Sequence, residues 1–206
     1  MRINAMFEVE GFILVGGLSR RMGRDKARLE IVGQDFVTRI AAALSILTER
    51  VSVVGSRYDE NIWQLPNVPD LFPQWGAFGG LHAALSACRV EWAAVVACDL
   101  PFVTKELFER LSELGENCDA VVPIQTDGKQ QPLCALYQAK VCRSKAEELI
   151  VKGERRPRAL LEEVKTRFVG PGEWDDLPNS DSFFDNINTP EDFAAAIAKR
   201  NLPQKP

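Results

Sequence analysis

Short apolar runs alternate with amphipathic stretches along nearly the whole chain. The apolar runs predict buried strands at residues 12–15, 51–54, 92–98, 120–124, 133–137 and 165–169. Between and after them, apolar positions at helical spacing predict helices at 36–50, 80–88, 104–114, 140–151, 157–163 and 190–200. Asp35 and Thr104 are predicted N-caps, and Thr189 followed by Pro190 predicts the start of the last helix.

This alternation predicts an α/β fold, a Rossmann-like three-layer α/β/α sandwich with a mainly parallel sheet. We expect a single domain over residues 1–206, with an ordered core at about 11–200 and a frayed tail at 201–206.

Composition narrows the possible partners and the compartment. The chain is 46% hydrophobic and 26% charged, with a net charge of −4, so we expect neither a nucleic-acid partner nor a membrane partner. No apolar stretch is long enough to span a bilayer. The five cysteines form no CxxC pair, which favours reduced, buried thiols and a cytoplasmic location.

A basic, glycine-rich loop follows the first predicted strand. The glycines let backbone N–H groups converge on an anion, and Ser19 adds a hydroxyl donor. The pattern predicts a polyphosphate site rather than a solvated basic turn, because Gly16 and Gly17 directly follow a buried strand. Neither a Walker loop nor a GxGxxG fingerprint is present. The cations of the loop are Arg20, Arg21, Arg24, Lys26 and Arg28.

Asp99 follows the predicted strand 92–98, so it is expected at the same sheet edge as the glycine loop. A carboxylate beside phosphates suits Mg²⁺, although Asp99 could also cap a turn before Pro101. The chain has one histidine, His82, which is interpreted as structural or exposed rather than catalytic. A phosphate nucleophile is already ionised near neutral pH and needs no side-chain base. Lys26 and an arginine, with Arg21 as the candidate, would then stabilise the transferred phosphate and the leaving pyrophosphate.

The segment LVGGLSRRMGRDKA resembles the LAGGxSxRMGxDK signature of the molybdenum cofactor guanylyltransferases, the MobA group of nucleotidyltransferases. Other segments resemble the same family in the same order, so the resemblance extends from about residue 11 to 200. These segments are Pro69-Asp70 followed by GAFGG at 76–80, CDLPF at 98–102, GERR at 153–156 and NINTPE at 186–191.

The resemblance implies transfer of GMP from GTP to the phosphate of molybdopterin-bound molybdenum, with Mg²⁺ as cofactor. It implies a magnesium ligand in Asp99, catalytic roles for Lys26, Arg21 and Asp99, and molybdoenzyme chaperones or a cofactor-biosynthesis protein as further partners. The implied acceptor residues, which could instead be turn residues or solvated charges, are Arg155, Arg156, Asn186 and Asn188. The implied GTP-binding residues are Leu14, Val15, Gly16, Gly17, Ser19, Lys26, Asp70, Gly79 and Asp99, of which Asp70 could also be an ordinary turn residue.

Two positions depart from the family pattern. Val15 replaces an alanine, and Val54 stands where the family has a nucleotide-contacting asparagine, so Ser56 is considered as a replacement donor. The glycine pair of LVGG and the GAFGG loop resemble the GTP-using branch and favour GTP over CTP. The alternatives are a cytidylyltransferase or sugar-phosphate nucleotidyltransferase of the same superfamily, and a module that binds nucleotide or cofactor without catalysis.

Overall fold

The computed structural model describes residues 7–16, 29–31, 33–55 and 62–201, in which strands and helices alternate. The strands are β1 (Val9–Leu14), β2 (Glu30–Ile31), β3 (Gln34–Asp35), β4 (Val51–Val54), β5 (Asn67–Val68), β6 (Trp92–Ala97), β7 (Ala120–Pro123), β8 (Cys134–Gln138) and β9 (Thr166–Val169). The α-helices are α1 (Phe36–Leu44), α2 (Ala77–Ala87), α3 (Lys105–Glu113), α4 (Ala139–Val151), α5 (Pro157–Glu163) and α6 (Pro190–Asn201).

One seven-stranded sheet has the order β5-β4-β1-β6-β8-β7-β9. Strand β8 is antiparallel to both of its neighbours, and the other neighbouring pairs are parallel, which confirms the predicted mainly parallel sheet. Leu14 of β1 is level with Val54 of β4 on one side and with Ala97 of β6 on the other. Three central parallel strands therefore end at the same height.

Helices cover both faces of the sheet because the central strands are apolar on both sides. Ile13 of β1 packs in the cluster beneath α1 and α3, with Leu44 and Phe108. Phe12, on the opposite face of β1, packs in the cluster beneath α2, α4 and α5, with Leu81. Burying one such side chain contributes roughly 1.5–3 kcal/mol, so each helix is fixed by a few large residues. The predicted three-layer sandwich is confirmed.

A third, smaller cluster joins three segments that are distant in the sequence. It contains Ile31 of β2, Phe36 at the start of α1, Phe102 after β6, Ile187 before α6 and Ala196 within α6. The cluster fixes the end of β6 and the start of α6 to the same region of the molecule.

One predicted helix end is wrong, and one predicted N-cap lacks its side-chain hydrogen bond. Helix α1 ends at Leu44 rather than at residue 50, because Ser45 Oγ donates back to the carbonyl of Ala42 at 2.7 Å and the chain turns. Thr104 is the N-cap residue of α3, as predicted, but its hydroxyl makes no capping hydrogen bond. In contrast, Asp35 caps α1 as predicted, with its Oδ1 accepting from the N–H of Thr38 at 2.9 Å.

Strands β2, β3 and β5 were not predicted, because each contains only two residues and shows no periodic pattern. Among the described residues, no helix is long and apolar enough to cross a membrane.

Candidate active site

A cleft lies where β1, β4 and β6 end. Strands β4 and β5 continue the sheet on one side of β1, and the chain then crosses to β6 on its other side. Ligands of open α/β sheets bind at such a reversal of strand order, outside the carboxyl ends of the strands. We refer to this feature as the nucleotide cleft. Its described lining consists of Leu14, Val15, Gly16, Val54, Gly55, Asp70, Gly76, Ala77, Gly80, Ala97, Cys98, Asp99 and Leu133.

The backbones that follow β1 and β4 touch at the floor of the nucleotide cleft. The N–H groups of Val15 and Gly16 both donate to the carbonyl of Val54, at 3.0 and 3.2 Å. Gly55 has a φ of +75°, and a Cβ placed there would lie 3.2 Å from the Cα of Gly16. Glycine at 55 is thus required both by its backbone conformation and by this close approach.

The side chain of Val54 is buried in the apolar cluster beneath α2 and cannot make a polar contact with a ligand. Its contribution to the site is the carbonyl that orients Val15 and Gly16. Ser56, the considered replacement donor, lies outside the described residues. So do Gly17, Ser19, Arg21 and Lys26 of the basic loop.

Asp70 forms the wall of the cleft beside Gly55. Its Oδ1 accepts from the N–H of Phe72 at 2.8 Å, which fixes the carboxylate within a tight turn. This turn rests directly on α2, because a Cβ at Gly79 would lie 2.2 Å from the carbonyl oxygen of Phe72. The structure therefore places Gly79 against the Asp70 turn, whereas the next residue, Gly80, lines the cleft.

Asp99 reaches the cleft from a turn directly after β6. The N–H of Cys98 donates to the carbonyl of Leu14 at 3.0 Å, and the N–H of Leu100 donates to that of Ala97 at 3.1 Å. These bonds fix the backbone on both sides of the half-buried Asp99. Asp99 follows β6 at the level where Val15 and Gly16 follow β1.

The segment before α6 is bonded to the backbone of Asp99. The N–H of Ile187 donates to the carbonyl of Asp99 at 3.0 Å, and the Ile187 side chain is 1% exposed in the third cluster. Asn186 and Asn188 flank this anchor and are exposed. The structure thus brings the predicted Asn186 and Asn188 beside Asp99, although they are far apart in the sequence.

A second, basic cleft lies next to the nucleotide cleft. The two share a border, since Pro132 lines the basic cleft and the following residue, Leu133, lines the nucleotide cleft. Besides the predicted Arg155 and Arg156, the basic cleft contains Lys129 and Arg158, which were not predicted.

The two predicted arginines of the basic cleft are already engaged. Arg156 donates from Nε and Nη2 to the two oxygens of Glu154, at 2.9 and 2.6 Å. This side-chain pairing, together with the N–H groups of both arginines, lowers the pKa of Glu154 to about 2. The guanidinium of Arg155 instead lies over the ring of Trp75, 4.7 Å from its centroid. Gly153, with a φ of +83°, ends α4 and directs this segment into the cleft.

His82 lies within α2 and does not line the described part of either cleft. It is 3% exposed, and its ring packs edge-to-face with Phe72 at a centroid distance of 5.1 Å. Its Nε2 lies 3.4 Å from Ser86 Oγ and 3.5 Å from Glu147 Oε1. This position is a structural one behind the Asp70 turn.

The described lining of the nucleotide cleft contains two carboxylates. The described residues contain no group of three or more His, Cys, Asp or Glu side chains that could hold a metal. Asp70 and Asp99 are the carboxylates in the described lining. One or two carboxylates, with phosphate oxygens and water completing the shell, are the ligands typical of Mg²⁺ in nucleotide sites.

Comparisons with known proteins agree with this geometry. Residues 11–168 match the family described as MobA-like NTP transferase domain. A probable molybdenum cofactor guanylyltransferase of Pelotomaculum thermopropionicum is 33% identical over 93% of this chain and 93% of its own length. The molybdenum cofactor guanylyltransferase of Vibrio cholerae is 31% identical over 88% of each chain. The solved structure of molybdopterin-guanine dinucleotide biosynthesis protein A from Archaeoglobus fulgidus aligns with a TM-score of 0.76 at 27% identity, covering 93% of this chain and 98% of that one.

Proposed function

Because the chain belongs to the MobA-like NTP transferase family, we propose that it transfers GMP from GTP to the phosphate of molybdopterin-bound molybdenum. The products are molybdopterin guanine dinucleotide and pyrophosphate. The observation that carries the proposal is the nucleotide cleft, in which Val15 and Gly16 after β1, the Asp70 turn and Asp99 meet at the ends of parallel strands. The guanylyltransferase names of relatives at 31–33% identity support GTP as the donor.

Guanine recognition is assigned to the Asp70 turn. Guanine presents N1–H and N2–H donors, and a carboxylate oxygen is a strong acceptor for them. Oδ1 of Asp70 is occupied by the N–H of Phe72, while Oδ2 has no hydrogen-bond partner within the described part of the chain. Oδ2 is therefore the atom that we assign to the base, and the backbone of Leu14, Val15 and Gly16 forms the adjacent wall.

The transfer itself requires no side-chain base. An oxygen of the acceptor phosphate attacks the α-phosphorus of GTP, and the bond from that phosphorus to the β-phosphate oxygen breaks to release pyrophosphate. The second pKa of a phosphate monoester is near ~6, so the attacking oxygen is already ionised near neutral pH. The position of the only histidine behind the Asp70 turn agrees with this chemistry.

Charge stabilisation is assigned to Asp99 and the basic loop. Asp99 would hold Mg²⁺, with Asn186 and Asn188 as neighbouring oxygen donors; when bound, the ion neutralises charge on the phosphate oxygens. Lys26, Arg21 and the donors of Gly17 and Ser19 are proposed to hold the triphosphate. Their positive charges would offset the negative charge that develops on the leaving pyrophosphate.

The acceptor is assigned to the basic cleft, because its phosphate must approach the α-phosphate from a cation-lined surface. Lys129 and Arg158 form no ion pair with any described residue and are available to an anion, whereas Arg156 is paired with Glu154. The shared border at Pro132 and Leu133 lets an acceptor in the basic cleft reach the nucleotide cleft.

The decisive experiment measures pyrophosphate release from GTP, CTP, ATP and UTP with Mg²⁺ and molybdopterin-bound molybdenum. We expect release from GTP only when the acceptor is present. Replacing Asp99 with Ala should reduce turnover by a factor of roughly 10³, on the scale of one lost electrostatic contact, while the Kd for GTP without Mg²⁺ changes little. Asp175→Ala is the matched control, because Asp175 is an exposed carboxylate outside both clefts.

Each alternative has its own outcome. A preference for CTP would identify a cytidylyltransferase, and release driven by a sugar phosphate would identify a different acceptor. Tight GTP binding without pyrophosphate from the wild-type protein would identify a binding module without catalysis.

A further inference from the structure

A short segment forms one wall of the nucleotide cleft and contacts Arg155 of the basic cleft. It is the segment from Asp70 to Gly76, which contains a 3-10 helix at Pro73–Trp75. Asp70 and Gly76, at its two ends, line the nucleotide cleft. We refer to residues 70–76 as the dividing segment. Its position therefore sets the shape of the nucleotide cleft.

Aromatic contacts hold the dividing segment on its inner side. Phe72 packs edge-to-face on Trp75, with ring centroids 6.0 Å apart, and also on His82 of α2, at 5.1 Å. The N–H of Phe72 is the donor that fixes Oδ1 of Asp70. A displacement of Trp75 would consequently be transmitted through Phe72 to the Asp70 carboxylate.

Arg155 holds the same segment from the other side. Its guanidinium lies 4.7 Å from the centroid of the Trp75 ring, and its Nη1 donates to the carbonyl of Gln74 at 2.8 Å. A planar guanidinium can stack on an aromatic ring and donate in its own plane at the same time, which an ammonium cannot do as well. Both contacts are with the dividing segment, although Arg155 belongs to the lining of the basic cleft.

We propose that Arg155 is a positioning residue for the nucleotide, which acts through Trp75 and Gln74 to hold the dividing segment where Asp70 receives the base. The contact links the two clefts, because a residue of the acceptor side determines the shape of the donor side. The inference rests on the proposed function only in placing the nucleotide base at Asp70.

The test compares binding and kinetics of Arg155→Ala, Trp75→Ala and the double variant, with Arg158→Ala as control. Arg158 lines the same basic cleft but has no ion-pair partner among the residues that the structure describes. We expect each single variant of the pair to raise the Kd for GTP, measured calorimetrically, by roughly threefold to tenfold. The double variant should be no worse than the weaker-binding single variant, since the two residues form one contact.

Two further readouts separate positioning from general destabilisation. The Kd for tripolyphosphate should stay unchanged in the Arg155 and Trp75 variants, because that probe lacks the base, and their preference for GTP over ATP should fall. In turnover assays the KM for GTP should rise while kcat stays within about twofold. Arg155→Lys should restore binding only in part, and Trp75→Phe should restore most of it.

The proposal is overturned if Arg155→Ala leaves the Kd for GTP unchanged and raises only the KM of the acceptor, as Arg158→Ala is expected to do. It is also overturned if the effects of Arg155→Ala and Trp75→Ala on GTP binding simply add. If the wild-type protein shows no preference for GTP, the proposed function fails by itself, before any variant is considered.

Discussion

Gly79 shows how the absence of a side chain shapes the nucleotide cleft. It lies in α2, where alanine would favour the helix by up to about 1 kcal/mol. However, its missing Cβ leaves the space that the carbonyl of Phe72 occupies, at 2.2 Å from where a Cβ would lie. A backbone carbonyl cannot rotate away, so we expect steric overlap to outweigh helix propensity.

Gly79→Ala is accordingly predicted to lower the free energy of unfolding by about 1–3 kcal/mol. It should also weaken GTP binding, because the turn that carries Asp70 must move. Gly172→Ala is the matched control, since a Cβ at Gly172 has no atom within 4 Å. Urea denaturation and calorimetric GTP titration check both effects. Equal stability of the two variants would show that the turn can move at no cost.

Site residues that directly follow apolar parallel strands can be predicted from the sequence, whereas site residues that precede a strand cannot. Gly16 and Asp99 could be predicted to meet, because parallel strands end at one edge of a sheet. Gly55 follows β4 at that same edge and could have been found by the same rule. Leu133 could not, because it precedes β8, and the sequence does not show that this strand runs in the opposite direction.

At the scale of elements, the start of α6 determines how the segment of Asn186 and Asn188 is held. Oδ2 of Asp192 accepts from the N–H groups of Asn188 and Thr189, both at 2.8 Å. In return, the N–H of Asp192 donates to Oγ1 of Thr189 at 3.1 Å. This reciprocal cap fixes the backbone directly after Ile187, whose N–H is bonded to the carbonyl of Asp99.

We predict that Asp192→Ala lowers the free energy of unfolding by about 1 kcal/mol more than Glu191→Ala does. Both substitutions remove an acidic residue from the first turn, but only Asp192 caps backbone N–H groups in the structure described here. Urea titration of the two variants gives the difference. The transfer rate should fall only for Asp192→Ala, and equal effects of both variants would argue against the cap.

At the scale of the whole molecule, the five thiols are distributed between the core and the site. Cys134 and Cys142 are buried within the apolar clusters, and burial raises the pKa of each to about 12. Cys98 is half-buried and lines the nucleotide cleft beside Asp99. Alkylation by a maleimide requires an accessible thiolate. Cys98 can therefore report on occupancy of the nucleotide cleft, and Cys134 and Cys142 can report on unfolding.

We therefore predict that N-ethylmaleimide modifies Cys98 in the native protein and that saturating GTP slows this modification at least several-fold. Cys134 and Cys142 should react only when the chain unfolds. Once unfolding is complete, GTP should not change their rate of reaction. Mass spectrometry of the labelled peptides distinguishes the sites. Unchanged labelling of Cys98 in the presence of bound GTP would place the nucleotide elsewhere.

The reversed direction of β8 has a consequence for how this fold can diversify. A strand parallel to β1 would begin at the end of the sheet opposite the cleft. Because β8 is antiparallel, it begins at the cleft, and the hairpin between β7 and β8 lies there. Residues 126–129, at the tip of this hairpin, are not part of the described lining of the nucleotide cleft and can therefore lengthen, shorten or change charge without disturbing a strand or the donor side of the site. Lys129 lies in this hairpin. New acceptors can thus be acquired by exchanging one loop while the donor specificity is retained.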